Sequence, residues 1–185
     1  VAARRLEGRG WAVGALLRPA AVGALATEPV QILDREVRFE ASELRHAVSR
    51  AMGMGESHRD RAVGAFSRWL RARVGEANET GLLANRAIDV LITDDTVLRP
   101  ADVATRFAMS VRSLERLTHR YVGLPPAVII RRRRLQEAAA AIRAGAAPDL
   151  ATLAADLGYA DHAHLTNDFR TVLGFTPSAY RSAVG

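Results

Sequence analysis

The chain contains no cysteine and no lysine, and aromatic residues make up only 5% of it. Without cysteine there are no disulfides, no thiolate zinc sites and no cysteine nucleophile. No apolar run approaches the roughly 18 residues that a membrane-spanning helix needs, and no signal-peptide pattern precedes the first predicted helix. We therefore expect a cytoplasmic protein without membrane contact. Because the sequence begins with Val1, we also expect it to be part of a longer protein.

Arginine supplies all 26 basic residues, against 20 acids, and the formal net charge is +6. The excess is concentrated in residues 99–134, where nine arginines face only Asp102 and Glu115, for a net charge of +7. Residues 135–185 carry a net charge of −2. A cationic block beside a nearly neutral remainder is typical of a polyanion-binding surface. The alternative is an arginine-rich helix face that is simply solvated.

The only candidate strands lie near the start of the chain. Trp11 to Leu17 is a short apolar run, and Val30 to Phe39 alternates with charges. Two short strands do not form a stable sheet alone. We interpret them as the end of a β-rich domain that begins upstream.

From Ser42 onward the hydrophobic period becomes helical. A first helix is expected from Ser42 to a stop at Gly53, and a second from a Ser57 cap to Gly75. The second helix should bury one face and expose a charged face to solvent. The expected buried residues are Val63, Phe66, Trp69, Leu70 and Val74, and the expected exposed ones are Arg59, Arg61, Arg68, Arg71 and Arg73. A third helix is expected from about Thr80 to Ile92.

The second half of the chain contains an internal repeat. With a shift of 51 residues, Leu114 aligns with Leu165, Gly123 with Gly174, and Pro126 with Pro177. Nearer the start of each copy the shift is 50, as in the pair Ala104 and Ala154. The second copy therefore has one extra residue in its turn. Two similar units at a fixed period are far more specific than one.

Each repeat unit has the pattern of a helix, a tight turn and a second helix. Pro100 can begin the first helix, Ala104 is small enough for close helix approach, and Ser110 can cap the second helix. Gly158 supplies a residue that tolerates a positive φ in the second copy. This spacing is that of a helix-turn-helix, whose second helix enters the DNA major groove.

Five motifs carry a resemblance to a known family. They are Ser110-x-Arg112-x-Leu114-x-Arg116, Gly123-x-Pro125-Pro126, Arg134-Leu135-x-x-Ala138, Leu153-Ala154-x-x-x-Gly158-Tyr159-x-Asp161-x-x-x-Leu165-x-x-x-Phe169 and Gly174-x-Thr176-Pro177-x-x-Tyr180-Arg181. With these motifs, residues 86–182 resemble the DNA-binding domain of the AraC/XylS family of bacterial transcription regulators.

The resemblance implies a mainly α fold in which residues 86–185 form a seven-helix, double helix-turn-helix domain. The first unit would span about 100–120, a linker helix about 126–144, and the second unit about 150–173. Residues 1–85 would be the end of a regulatory or sensory domain with short remnant strands and a helical connector. Both recognition helices would occupy successive major grooves of double-stranded DNA.

The site residues follow from the outward positions of the two predicted recognition helices. Arginine can bond guanine bidentately, and Glu115 can accept from cytosine or orient an arginine. The residues expected to contact bases are Arg112, Ser113, Glu115 and Arg116 in the first unit and, by the resemblance, His162, Ala163, Thr166 and Asn167 in the second. Those expected to contact phosphate are Ser110, Arg120, Arg131, Arg132 and Arg170. We expect Arg134 to pair with an acid inside the domain, since four consecutive helical residues cannot all face DNA.

Two positions depart from the family pattern. Thr118 replaces an aromatic core residue, and Asn167 replaces a common arginine, which removes a cation from the second recognition helix. With the negative charge of residues 135–185, this predicts that the first unit contributes more of the affinity for DNA.

Other functions fit the sequence less well. No nucleophile triad, Gly-rich phosphate loop or metal-ligand set predicts an enzyme or a cofactor, and His162 and His164 lack companion ligands. The alternative function is a helical protein-interaction module or anti-regulator that has lost DNA binding. Acidic residues on or near the recognition helices are compatible with this alternative, namely Glu115, Asp161 and Asp168. Further partners compatible with the resemblance are RNA polymerase, a small-molecule effector bound by the upstream domain, and a second copy of the chain. The sequence leaves open whether such a regulator activates or represses.

Overall fold

The computed structural model describes residues 11–25, 28–53, 55–146 and 149–184, and it is mainly helical. Within these ranges ten α-helices and one 3₁₀ turn follow one another. They are α1 (Pro19–Leu25), the 3₁₀ turn (Pro29–Ile32), α2 (Ser42–Met52), α3 (His58–Val74), α4 (Glu79–Thr93), α5 (Pro100–Arg106), α6 (Val111–Val122), α7 (Pro126–Arg143), α8 (Leu150–Asp156), α9 (His162–Leu173) and α10 (Pro177–Val184). The mainly α prediction is confirmed. None of the described helices is both long and apolar enough to cross a bilayer.

The two predicted strands are absent, and this part of the prediction was wrong. Residues 11–18 have no regular secondary structure, and the 3₁₀ turn occupies the start of the second candidate strand. The physical reason is that neither segment meets a partner strand within the described residues, so its backbone groups cannot enter a ladder. Pro19 and Pro29 instead begin helical turns. Proline suits this position because the first N–H groups of a helix have no partner within the helix, so its missing N–H costs no hydrogen bond.

Helices α2 and α3 form a hairpin with a small core of its own. Val48, Ala51 and Ala62 are buried at its centre. The predicted C-terminal ends of both helices are confirmed, with Gly53 and Gly75 directly following them. The predicted Ser57 cap is wrong, because Ser57 has a left-handed φ of +59° and its side chain accepts no hydrogen bond from α3. Val63 was wrongly expected inside, and its side chain is exposed because Ala62 occupies the face toward α2. The five arginines expected on the solvated face of α3 are all exposed.

The core of the first repeat unit is built by α4, α5, α6 and the start of α7. Its buried residues include Leu91, Val103, Leu114 and Ile130. Helix α4 begins at Glu79, and Ala84 already lies in this core. Residues before 86 therefore pack as part of the first unit, while the division of the chain into domains at this point stays a prediction.

A second core is built by the rest of α7 with α8, α9 and α10. Leu135, Ala138, Leu165 and Phe169 are fully buried or nearly so. Residues 86–184 contain seven helices when α4 is counted, as the resemblance implied. Helix α7 contributes its first turns to one core and its later turns to the other. This single helix fixes both units to each other.

The upstream segment packs against the first unit. Helix α1 contacts α4 and α6, and the Ala20 backbone N–H donates to Asn85 Oδ1 at 2.9 Å. The 3₁₀ turn lies on the end of α6, where a Cβ on Gly123 would come within 2.7 Å of the Val30 backbone. Gly123 is thus required by packing as well as by its φ of +77°.

The repeat supplies a matched test of this contact. Gly174 ends α9 as Gly123 ends α6, with a φ of +85° but open space around it. We expect Gly174→Ala to cost about 1–2 kcal/mol through backbone strain alone. Gly123→Ala should cost at least about 1 kcal/mol more, because the new methyl group meets backbone atoms that cannot rotate away. Urea unfolding of both variants measures the difference, and equal costs would show that the 3₁₀ turn does not rest on Gly123.

Candidate nucleic-acid interface

The turns of the two helix-turn-helix units share one geometry. In the first unit the Met109 N–H donates to Ala104 O at 2.9 Å, and in the second the Tyr159 N–H donates to Ala154 O at 2.8 Å. The turn residues have positive φ in both units, +49° at Ala108 and +70° at Gly158. Since the same hydrogen bond and the same positive-φ position recur with a shift of 50, the repeat is present in the structure as well as in the sequence.

The extra residue of the second unit lies immediately before its recognition helix. Ser110 caps α6 by accepting from the Ser113 N–H at 3.1 Å, and Asp161 caps α9 by accepting from the His164 N–H at 2.7 Å. One residue separates Tyr159 from Asp161, whereas Met109 adjoins Ser110. The insertion is therefore Ala160. The predicted cap at Ser110 is confirmed, and its hydroxyl also hydrogen-bonds to that of Ser113.

Two arginines of α6 are exposed, and their guanidinium groups have no hydrogen-bond or ion-pair partner among the described residues. Arg112 and Arg116 lie one turn apart, on the side opposite the buried Leu114 and Leu117. In the part of the chain that the structure describes, no carboxylate lies within 4 Å of either guanidinium. The exposed Glu115 lies between them in sequence. Both guanidinium groups are thus available to an external acceptor.

The outward face of α9 carries weaker charge. His162, Ala163 and Asn167 are exposed, and Thr166 is half-buried. Asn167 Oδ1 accepts a long hydrogen bond of 3.5 Å from Arg170, the single arginine of α9, so this cation already has a partner on its own helix. The predicted base-contacting residues of both units therefore lie on the outer faces of their helices. Their contacts with DNA remain a prediction.

Four of the nine arginines of the cationic block are paired with carboxylates in the described structure, namely Arg106, Arg131, Arg132 and Arg133. Arg106 pairs with Asp94 at 2.5 Å, and Arg120 lies over the Tyr121 ring at 5.5 Å. The four arginines from Arg131 to Arg134 each contact a different partner, three of them a carboxylate and one an aromatic ring. The net charge of residues 99–134 therefore overstates the charge available to DNA. The exposed arginines without a carboxylate partner among the described residues are Arg99, Arg112, Arg116 and Arg120.

Arg131 and Arg132, both expected to contact phosphate, form ion pairs. Arg131 donates two hydrogen bonds to the buried Asp168 of α9, at 2.6 and 2.8 Å. Arg132 binds the exposed Asp34 carboxylate at 2.5 Å. The Arg132 guanidinium also lowers the pKa of Asp34 from its usual value, chiefly through that hydrogen bond. Each arginine would have to share or leave its carboxylate to reach DNA.

Arg131 and Arg133, not Arg134, are the arginines of this run that pair with acids inside the domain. Arg133 is buried, with its Nε 3.1 Å from Glu137 Oε1 and its guanidinium donating to the carbonyls of Asp94 and Val97. Arg134 stacks on the Tyr159 ring at 3.9 Å, and none of the described acids accepts a hydrogen bond from it. The prediction for Arg134 was wrong because helix rotation turns it toward the second unit. Burial raises the pKa of Tyr159 to about 12, so the ring is neutral beneath the guanidinium.

The loop between α4 and α5 adds a pH-sensitive contact near the first unit. Hydrogen bonds from Thr96 and then from Arg106 lower the pKa of Asp94 from 3.8 to about 2. A carboxylate with a lowered pKa stabilises the fold above its unfolded pKa and loses that contribution as pH falls through the folded value. We expect wild type to be more stable than Asp94→Asn near neutral pH, and the gap to close between pH 3.8 and about 2. Urea unfolding across this range checks it, and a gap that persists at the acid end would contradict it.

Nothing in the described residues indicates a metal centre. No group of three or more His, Asp or Glu side chains is placed to hold an ion there. His164 packs edge-on against Tyr159 with ring centroids 5.3 Å apart, and His162 is exposed on the recognition helix.

Comparison with known proteins agrees with this geometry. Residues 103–183 match a family model described as a helix-turn-helix domain. No curated protein and no solved structure matches the chain significantly. The matched segment begins within α5 and ends within α10, so it contains both units and the helix that joins them. Residues 103–183 of this chain are therefore a helix-turn-helix domain.

Proposed function

We propose that the protein is a sequence-specific transcription regulator of the AraC/XylS type. Helices α6 and α9 enter successive major grooves of DNA, with Arg112 and Arg116 reading bases in the leading groove. The observation that carries this proposal is the pair of exposed, partnerless arginines on a capped helix of a repeated helix-turn-helix. Such arginines are positioned for bidentate contacts with guanine O6 and N7.

The upstream part of the chain is proposed to carry regulation. Helix α1 and the 3₁₀ turn rest on α4 and α6, and Asp34 pairs with Arg132 of α7. An effector or partner bound upstream would therefore act on the first unit and the joining helix directly. RNA polymerase and a second copy of the chain are proposed as further partners, and a cytoplasmic, nucleoid-associated location is proposed with them.

Selection of bound sites from a random duplex pool tests the function most directly. We expect enriched sequences with two short specific blocks separated by about one helical turn of 10–10.5 base pairs. A protein-interaction module would enrich no sequence. When the selection is repeated with Arg112→Ala/Arg116→Ala, the enriched sequences should no longer contain the stronger block, which α6 contacts. Enrichment of the same sequences as with wild type would overturn the assignment of α6.

Salt dependence provides a second prediction. Each neutralised phosphate contributes about −0.9 to the slope of log K against log[salt]. Arg120→Gln and Arg170→Gln should each make the slope shallower by about one, because each removes a phosphate contact. If the Asp34 pair persists in the complex, Arg132→Gln should leave the slope unchanged. Fluorescence anisotropy over a salt series measures these slopes, and a flat plot for wild type would count against DNA binding.

A further inference from the structure

The α2–α3 hairpin carries a second concentration of arginine, outside the helix-turn-helix domain. Residues 42–75 contain seven arginines against three acids. Arg73 is explained by packing, since its guanidinium lies within 6 Å of the Phe39 and Trp69 rings, at 5.8 and 5.6 Å. The DNA contacts proposed above use none of these arginines.

Three of the seven line one groove between the two helices. The groove is open to solvent and has a volume of about 540 Å³. Its floor is made of small residues, and its walls carry three arginines and one acid. The floor residues are Ala47, Ala51, Gly64 and Ala65, and the wall residues are Arg50, Asp60, Arg61 and Arg68. Small side chains thus leave an open space that is bordered mainly by guanidinium groups.

The arginines of this groove are not neutralised by the protein. Arg68 folds back over the floor, with Nη1 3.4 Å from the position that a Cβ on Gly64 would occupy. Over the ranges 11–25, 28–53, 55–146 and 149–184, no acid lies within 4 Å of the guanidinium of Arg50, Arg61 or Arg68. Like charges gathered around one space repel each other, and an anion between them would relieve that repulsion.

We propose that this groove binds a phosphate-type oxyanion. Guanidinium groups present paired donors that match phosphate oxygens, and three of them border this one groove. The volume exceeds that of a single phosphate and suits a phosphorylated small molecule or a stretch of nucleic-acid backbone. The site is independent of the recognition helices, because none of its residues lies on α6 or α9.

Titration with inorganic pyrophosphate by calorimetry tests the site. We expect Arg50→Gln/Arg68→Gln to weaken pyrophosphate binding by roughly tenfold or more, since each lost charge-assisted hydrogen bond is worth more than a neutral one. Arg45→Gln/Arg71→Gln is the matched control. It removes one exposed arginine from each helix and none from the groove, and should change the affinity by less than about twofold.

A gain of affinity provides a test that misfolding cannot imitate. Asp60 is the one carboxylate of the groove wall, and Asp60→Asn removes its repulsion of an incoming anion. We expect this variant to bind pyrophosphate more tightly than wild type. Unchanged or weaker binding by Asp60→Asn, or equal losses in the two arginine pairs, would overturn the proposal.

A second arm of the experiment distinguishes the source of the phosphate. Duplexes that carry the selected sites are compared with and without long flanks, for wild type and Arg50→Gln/Arg68→Gln. A loss confined to flanked duplexes identifies the DNA backbone as the occupant, and pyrophosphate binding without a flank effect identifies a free phosphorylated ligand. Absence of both effects overturns the site. The variant Arg112→Ala/Arg116→Ala should retain pyrophosphate binding, so failure of the proposed function and failure of this site give different results.

Discussion

Replacing Arg112 and Arg116 together by alanine is expected to remove most of the discrimination between the selected site and random DNA, leaving only the part that α9 supplies. Each bidentate arginine–guanine pair is worth about 1–3 kcal/mol of discrimination. The two together therefore correspond to a loss of about thirtyfold to twenty-thousandfold in specific affinity. Both side chains are exposed and unpaired in the described structure, so the fold should be unaffected. Anisotropy with specific and scrambled duplexes measures the ratio, and circular dichroism checks the helix content.

The second recognition helix supplies the matched control. His162→Ala/Asn167→Ala also removes two exposed polar side chains from the outer face of a recognition helix. It should cost less affinity than the arginine pair, because neither residue brings a permanent cation and Asn167 is already bonded to Arg170. A larger loss in this variant than in Arg112→Ala/Arg116→Ala would reverse the expected order of the two units.

Arg133→Ala is expected to destabilise the fold more than any other change within the arginine run. It leaves the carbonyls of Asp94 and Val97 without their donor, and removes the partner of Glu137. Unpaired buried acceptors and broken buried ion pairs each cost on the order of 1–3 kcal/mol or more, so we expect a total of about 2–4 kcal/mol. Urea unfolding followed by circular dichroism measures this change.

The adjacent Arg132 is the control for charge and helix position. Its ion pair with Asp34 is largely exposed, and exposed pairs contribute about 0–1 kcal/mol. Arg132→Ala should therefore be nearly neutral in the same unfolding assay. Similar costs for both variants would mean that Arg133 is not the anchor of the loop between α4 and α5.

The helices and their ends could be predicted because each depends on local chemistry. Pro100 and Pro126 begin helices where no backbone donor is lost, Ser110 caps α6, and Gly123 ends it with a left-handed residue. The repeat spacing predicts the core positions of both units, and the four residues it identifies are all buried, namely Ala104, Leu114, Ala154 and Leu165. These features repeat at 50 or 51 residues, so each copy supports the other.

The partners of the arginines could not be predicted in the same way. Four consecutive arginines look identical in sequence, and their roles depend on the rotation of α7 relative to two separate cores. A rotation of one residue decides whether Arg133 or Arg134 reaches the Asp94 carbonyl. Asp168 gave a partial signal, because an acid between the buried Leu165 and Phe169 needs a cationic partner, but the sequence does not show which arginine supplies it.

The strand prediction failed for a related reason. Alternating apolar residues in 30–39 fit a strand only if a neighbouring strand exists, and the described chain offers none. The segment instead packs through Val30 against Gly123. The sequence gives no indication of this long-range contact, because the contact depends on a glycine that is 93 positions away in the chain.

Helix α7 contributes to both cores without interruption, and this rigidity limits how the target sites of such a protein can change. A base substitution within one recognised block alters a single contact and can be compensated locally. Insertion of one base pair between the blocks rotates one of them by roughly a tenth of a turn about the duplex axis. A continuous helix cannot follow that rotation, so under the proposed function the DNA sites of this protein should tolerate drift in sequence far better than drift in spacing.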